Sequence, residues 1–372
     1  MAFSSGHKEL SVRLRHPLFL SLLSLFIWSP AFATEPAPSR EALARLDGYA
    51  LALTDTDQFS GVVLVAHQGT VVFEKAYGLR DENTEDANTL ATRFNLASAG
   101  KMFTAVAVLQ LVAEKKLSLD SSVGSVLRDY PNPEFAKVTV RQLLTHTAGA
   151  GDIDLFGVEH AGNRDRVIST ADMLALHGAR APAFAPGSQQ VYGNFGHVVL
   201  GRMVEVLSGM DYERYVTERI FKPSGMINTA FVNCTETGAG DAVGYVAVDG
   251  KRVRNCASLP RRGFPAGGQV STADDMLRFV KALQSGKLLP PDLFAQAITP
   301  QREFMGLGFF ATGYGPGYPE RDFRWGHGGS ADGICTDIRS YPVTGETLIV
   351  LSNRDPPACF GVANLLHKTW KP

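Results

Sequence analysis

The stretches GVVLVA at 61–66, QG at 68–69 and TVVFEKA at 70–76 read as two β-strands joined by a tight turn. Apart from one short hairpin turning at Asp249-Gly250, strand texture then disappears from the chain for more than two hundred residues. It returns at 306–312, 322–326, 333–341 and 346–352, where short β-rich runs follow one another with Gly-containing turns between them. The interval reads differently. Residues 97–115 form a long apolar helical pattern through Met102, Val106, Leu109 and Val112, and helices are expected at 138–144, 195–207 and 212–220 among long loops. A helix with Leu43, Leu46, Ala50 and Leu53 on one face precedes the first strand, and 360–370 reads as a closing helix. Strands at both ends and helices in the middle imply an α+β fold: one antiparallel sheet built from both chain ends, flanked by helices. The expected division is a sheet domain of 34–118 and 265–372 with a mostly helical domain, 119–264, inserted.

The first 33 residues are a different material. Lys8, Arg13, Arg15 and His16 precede an apolar run, PLFLSLLSLFIW at 17–28, and then SPAFA at 29–33. A run of that length falls short of the roughly 20 residues a membrane helix needs. The pattern predicts a secretory signal peptide cut after Ala33 and no retained membrane anchor. No cysteine follows the apolar run, which excludes a bacterial lipoprotein anchor. The whole chain carries a formal charge of −1, which points to no nucleic-acid partner. An exported chain with an even number of cysteines permits disulfides. Cys234 and Cys256 flank a hairpin turning at Asp249-Gly250, and Cys335 and Cys359 flank a second strand pair, so the expected pairings are Cys234–Cys256 and Cys335–Cys359. Neither C-x-x-C nor H-E-x-x-H occurs, so neither a metal nor a cofactor is expected.

Three short motifs could carry chemistry. Ser98-Ala99-Gly100-Lys101 opens the long helix and places an amine on the same face as a hydroxyl. A serine is a poor nucleophile until a base takes its proton. Burial, neighbouring cations and a helix N-terminus can bring a lysine pKa toward neutrality. Tyr192-Gly193-Asn194 adds a phenol able to relay a proton and an amide able to hold a lysine and a substrate carbonyl. His327-Gly328-Gly329 adds a ring and two glycines that would let a substrate backbone approach the strand edge. Each motif alone is weak, because the chain repeats all three: Ser5-Gly6-His7-Lys8, Tyr130-Pro131-Asn132, His67-Gln68-Gly69 and His160-Ala161-Gly162. Ser98 could equally be a helix cap.

Order and context raise the signal. With LLTHTAG at 143–149, PGS at 186–188, KPSGM at 222–226 and WGHGGS at 325–330, the chain resembles the serine β-lactamase and penicillin-binding-protein superfamily. The branch it is most similar to is that of class C β-lactamases, class VIII esterases and D-aminopeptidases. The resemblance spans nearly all of the chain after residue 33. It implies that Ser98 is the acylated nucleophile, that Lys101 helps deprotonate it, and that Tyr192 acts as base and then as acid toward the leaving group. It implies further that Asn194 positions Lys101 and substrate, that His327 and Gly329 face the substrate, and that the N–H groups of Ser98 and Ser330 form the oxyanion hole.

One departure matters. His327 stands where most β-lactamases carry lysine, which weakens the expected grip on a substrate carboxylate and makes it pH-dependent. The S-D-N triplet of class A enzymes is missing. The expectation is an exported, monomeric serine hydrolase, periplasmic or secreted, acting on a small-molecule or peptide substrate. Esters rank first, D-amino-acid peptides next, then β-lactams, with β-lactamase or DD-carboxypeptidase as the alternative. A non-catalytic penicillin-binding or sensor protein is the alternative of another class. An α/β-hydrolase with Ser330 as nucleophile is excluded by the lack of a G-x-S-x-G elbow. His146 reads as a loop brace, and Arg261 and Arg262 as either a solvated pair or an attractor of anions.

Overall fold

The structure, a computed structural model, describes residues 36–152 and 169–369. The signal-peptide expectation at 1–33 lies outside the described residues. The sheet-forming stretches behave as their composition demands. Six strands form one antiparallel sheet: β1 (Gly61–His67), β2 (Thr70–Tyr77), β3 (Phe310–Thr312), β4 (Arg324–Ala331), β5 (Ile334–Tyr341) and β6 (Glu346–Ser352), in the spatial order β2-β1-β6-β5-β4-β3. The first strand of the chain thus lies beside the last, with Val63 opposite Val350.

Alternation along β1 sends side chains to two different cores. Val63 and Val65 join a cluster with Leu348, Val350 and two terminal helices, α1 (Arg40–Asp55) and α5 (Ala358–Thr369). Ser39 caps α1 by accepting the Ala42 N–H at 3.1 Å, and Leu46 and Ala50 form its buried stripe. Val62, Leu64 and Ala66 point the other way, into a larger cluster with α2 (Lys101–Ala113), α3 (Phe195–Ser208) and α4 (Ala273–Gln284). Helix α2 is buried from Lys101 to Leu111, which explains a pattern that is apolar all round rather than striped. This second core runs unbroken from the sheet into the middle of the chain, and the chain beyond Thr34 forms one compact unit.

Both expected disulfides are present, each with Cα atoms 5.4 Å apart. Cys234–Cys256 closes the base of a small hairpin, Tyr245–Val248 with Lys251–Arg254, and Cys335–Cys359 ties β5 to α5. Two strand expectations change. The run at 306–312 contributes only Phe310–Thr312, because Gly308 takes φ +80° and gives its N–H to Leu144 O, steering the chain into the helical side. The run at 322–326 instead extends through His327 to Ala331, since pairing with β5 holds the glycines extended. Among the described residues, no helix is long and apolar enough to cross a membrane.

Candidate active site

The segment entering α2 makes a tight bend that its own sequence does not favour. Ala97 sits at φ +43°, and Ala97–Gly100 forms a 3-10 turn. The bend is held from outside. Asn95 Oδ1 accepts the Ala97 N–H at 2.8 Å, Gly268 N donates to Ala97 O at 3.0 Å, and Leu96 N donates to Gln269 O at 2.8 Å. A side chain on Gly329 of β4 would place its Cβ 2.2 Å from Leu96 O and 3.0 Å from Ser98 N, and one on Gly267 would lie 2.0 Å from Ala97 O. Gly329 therefore admits the Ser98 turn against the strand. The sequence reading gave that space to a substrate backbone; the protein's own backbone occupies it.

Ser98 is half-buried, and beneath it Lys101 has no solvent exposure. Lys101 Nζ donates to Ser98 Oγ at 3.0 Å, Asn194 Oδ1 at 2.7 Å and Ala266 O at 2.8 Å. Burial brings its pKa down to about 7, against an opposing pull from the Asp152 carboxylate. Near neutrality the amine is thus poised between a cation with three acceptors and a neutral base with a free lone pair.

Asn194, at the start of α3, is held from its other end. Asp152 Oδ1 accepts both the Asn194 backbone N–H, at 3.2 Å, and its Nδ2, at 3.0 Å, which leaves Oδ1 facing the amine. Sequence reasoning did not find Asp152 or the Ala266 carbonyl; neither belongs to a motif, and both meet Lys101 only through the fold.

Tyr192 places its ring 5.0 Å from Lys101 Nζ. Burial raises its pKa above the ordinary tyrosine value, against a lowering contribution from Ser98, and its oxygen has no hydrogen-bond partner at ordinary geometry. It is a phenol, available as a proton donor. His146, at φ +56°, accepts the Gly193 N–H on Nδ1 at 3.3 Å, and its ring lies 4.4 Å from that of Tyr192. It braces the Tyr192–Asn194 turn. Burial, followed by the charge of Lys101, holds it neutral.

His327 lies flat on Phe310, with centroids 4.0 Å apart, and its Nδ1 meets Gly328 O at 2.5 Å. Burial, with the nearby Lys101 charge, takes its pKa down to about 3. It offers no positive charge to a carboxylate at neutral pH, so the expected pH-dependent grip is missing from that range. Ser330, further along β4, is exposed at the same opening. The structure thus gathers Ser98, Lys101, Tyr192, Asn194, His327, Gly329 and Ser330 around one point. Among the described residues no group of His, Cys, Asp or Glu is arranged to hold a metal ion.

The chain matches the Beta-lactamase family over residues 46–367. It belongs to that family. The Bacillus subtilis (strain 168) protein named "Putative penicillin-binding protein PbpX" is 30% identical over 309 residues, covering 82% of this chain and 73% of that one. The crystal structure of a penicillin-binding protein from Bacillus halodurans superposes with a TM-score of 0.77 at 28% identity, covering 85% of this chain and 98% of that one. A D-stereospecific amidohydrolase from a Streptomyces species follows at a TM-score of 0.71 and 25% identity, with 90% and 99% covered. The chain is a serine hydrolase of the β-lactamase and penicillin-binding-protein type.

In this member of the family, two clefts meet at Ser98. One runs along β4 past Tyr192, His327, Phe304 and Phe310. The other leads away beneath the disulfide-closed hairpin, past Val232, Val243, Leu259, Phe264 and Ile334. Ser98, Asn194 and Ser330 line both, whereas Tyr192 and His327 line only the first.

Proposed function

We propose that the protein is an exported serine hydrolase that cleaves an ester or amide through an acyl-enzyme on Ser98. The observation that carries the reading is the contact of a fully buried Lys101, with a pKa near 7, to the Ser98 hydroxyl at 3.0 Å. Neutral Lys101 takes the Ser98 proton as Oγ attacks the substrate carbonyl carbon. The Ser98 and Ser330 N–H groups stabilise the oxyanion, each worth about 3 kcal/mol of barrier. Collapse breaks the bond to the leaving group, which takes a proton from the Tyr192 phenol, and Lys101 returns one to Tyr192. Water then attacks the Ser98 ester and loses its proton by the same route. The acid departs and the Ser98 hydroxyl is restored.

Substrate ranking follows from charge. A neutral His327 offers no anchor for a carboxylate, which favours esters and D-amino-acid amides or peptides over β-lactams. Similarity to a D-stereospecific amidohydrolase supports the same direction. The two disulfides suit an oxidising compartment and support export. A fluorophosphonate probe tests the nucleophile. Ser98→Ala should abolish labelling and Ser330→Ala should leave it largely in place; labelling that survives in the Ser98 variant overturns the reading.

A further inference from the structure

We propose that the substrate's acyl part is an uncharged apolar group, aliphatic or aryl, seated in the cleft beneath the Cys234–Cys256 hairpin. This rests on the acyl-enzyme reading above. The leaving group must face the proton donor when its bond breaks. Tyr192 lines the β4 cleft and is not part of the hairpin cleft, although Ser98 and Asn194 open onto both. The leaving group therefore lies along β4, and the acyl group points under the hairpin.

The walls of the hairpin cleft decide what fits there. Leu259 and Ile334 are buried, and Val232 and Phe264 are half-buried, so the cleft presents a largely apolar surface continuous with Ser98. Its charged wall residues are already committed. Asp241 pairs with Arg93 at 2.6 Å, Arg254 with Asp81 at 2.8 Å, and Arg262 with Glu213 at 2.5 Å. The Asn353 amide nitrogen is spent on the Leu79, Arg80 and Val243 carbonyls. A charged acyl group entering here would lose its water and gain no counter-ion. Each methylene of an apolar one would gain about 0.8 kcal/mol, roughly fourfold in affinity. Arg262, one of the two arginines considered as anion attractors, is thus neutralised by Glu213 in the cleft wall.

Alkylboronic acids test this without requiring turnover, because boron takes the place of the acyl carbon and the alkyl group that of the acyl chain. The readout is protection of Ser98 from fluorophosphonate labelling by methyl-, butyl-, hexyl- and 3-carboxypropylboronic acid. Protection should strengthen at least tenfold from methyl to hexyl, and the carboxylated acid should be no better than the methyl one. Leu259→Trp, which fills the cleft, should remove at least tenfold of the hexyl-over-methyl preference. Val232→Trp repeats the test should the first variant melt early. A flat series in the wild-type protein, a preference for the carboxylated acid, or an unchanged preference in a folded filled variant overturns the proposal. Loss of labelling at Ser98 itself is a separate result: it overturns the acyl-enzyme reading, and the cleft assignment falls with it.

Discussion

At the scale of single residues, the site turns on an amine whose charge is set by burial. A lysine with its pKa brought down to about 7 is neutral above that pH and protonated below it. Only the neutral form can accept the Ser98 proton, so activity should rise with pH through neutrality and fall about tenfold per unit on the acid side. The histidines buried around the site cannot supply that limb. Burial holds His146, His197 and His327 below their ordinary pKa, so all three are already neutral there. The check is kcat/KM for a nitrophenyl ester between pH 5 and 9. A profile flat across neutrality would remove Lys101 from the role of base. Lys101→Arg should be inactive throughout, since a guanidinium does not give up its proton at these pH values.

At the scale of elements, the nucleophile depends on a meeting between one turn and one strand. The Ser98 turn presses on β4 at Gly329, and the obstruction to a side chain there is backbone, Leu96 O, which cannot swing aside. Gly329→Ala should therefore push the turn off the strand, cost about 2–4 kcal/mol of stability and slow fluorophosphonate labelling of Ser98 at least a hundredfold. Urea melts and labelling rates measure the two effects. Labelling at the wild-type rate in a folded Gly329→Ala protein would show that the close approach is dispensable.

The same element shows what the sequence could and could not reveal. The strand at 61–67 was legible because Val and Leu dominate it and a Gln-Gly turn follows. The strand at 322–326 was bounded at Gly326, although the His327-Gly328-Gly329 motif was itself placed on a strand, because three glycines in four residues carry no strand signal of their own. Pairing of Gly326–Ala331 with Ile334–Arg339 supplies the missing preference from a distance. Likewise the serine, lysine, tyrosine and asparagine were legible as motifs in order. The Asp152 carboxylate, which fixes the Asn194 amide, was not, because the two stand 42 residues apart and share no pattern.

At the scale of the whole molecule, the early and late strands, the helical middle and the site share one core, yet the last helix is attached differently. Helix α5 belongs to the smaller cluster with α1, on the face of the sheet away from Ser98, and Cys335–Cys359 staples it to β5. That bond closes a chain interval of 24 residues containing β6, the strand that joins the C-terminal strands to β1. Opening it frees the unfolded chain more than it disturbs the native contacts, so the cost falls on stability, at about 3 kcal/mol. Lys101 opens α2 and Asn194 stands at the start of α3, two helices of the other core, and Tyr192 lies beside them, so their geometry should survive. A Cys335→Ala, Cys359→Ala double variant should melt several degrees lower and still label Ser98 at close to the wild-type rate well below its melting temperature. Thermal melts with parallel labelling at 20 °C separate the two outcomes. A fall in labelling rate without a fall in melting temperature would mean that the staple positions β4 and the Ser98 turn through β5, rather than only securing the C-terminal helix.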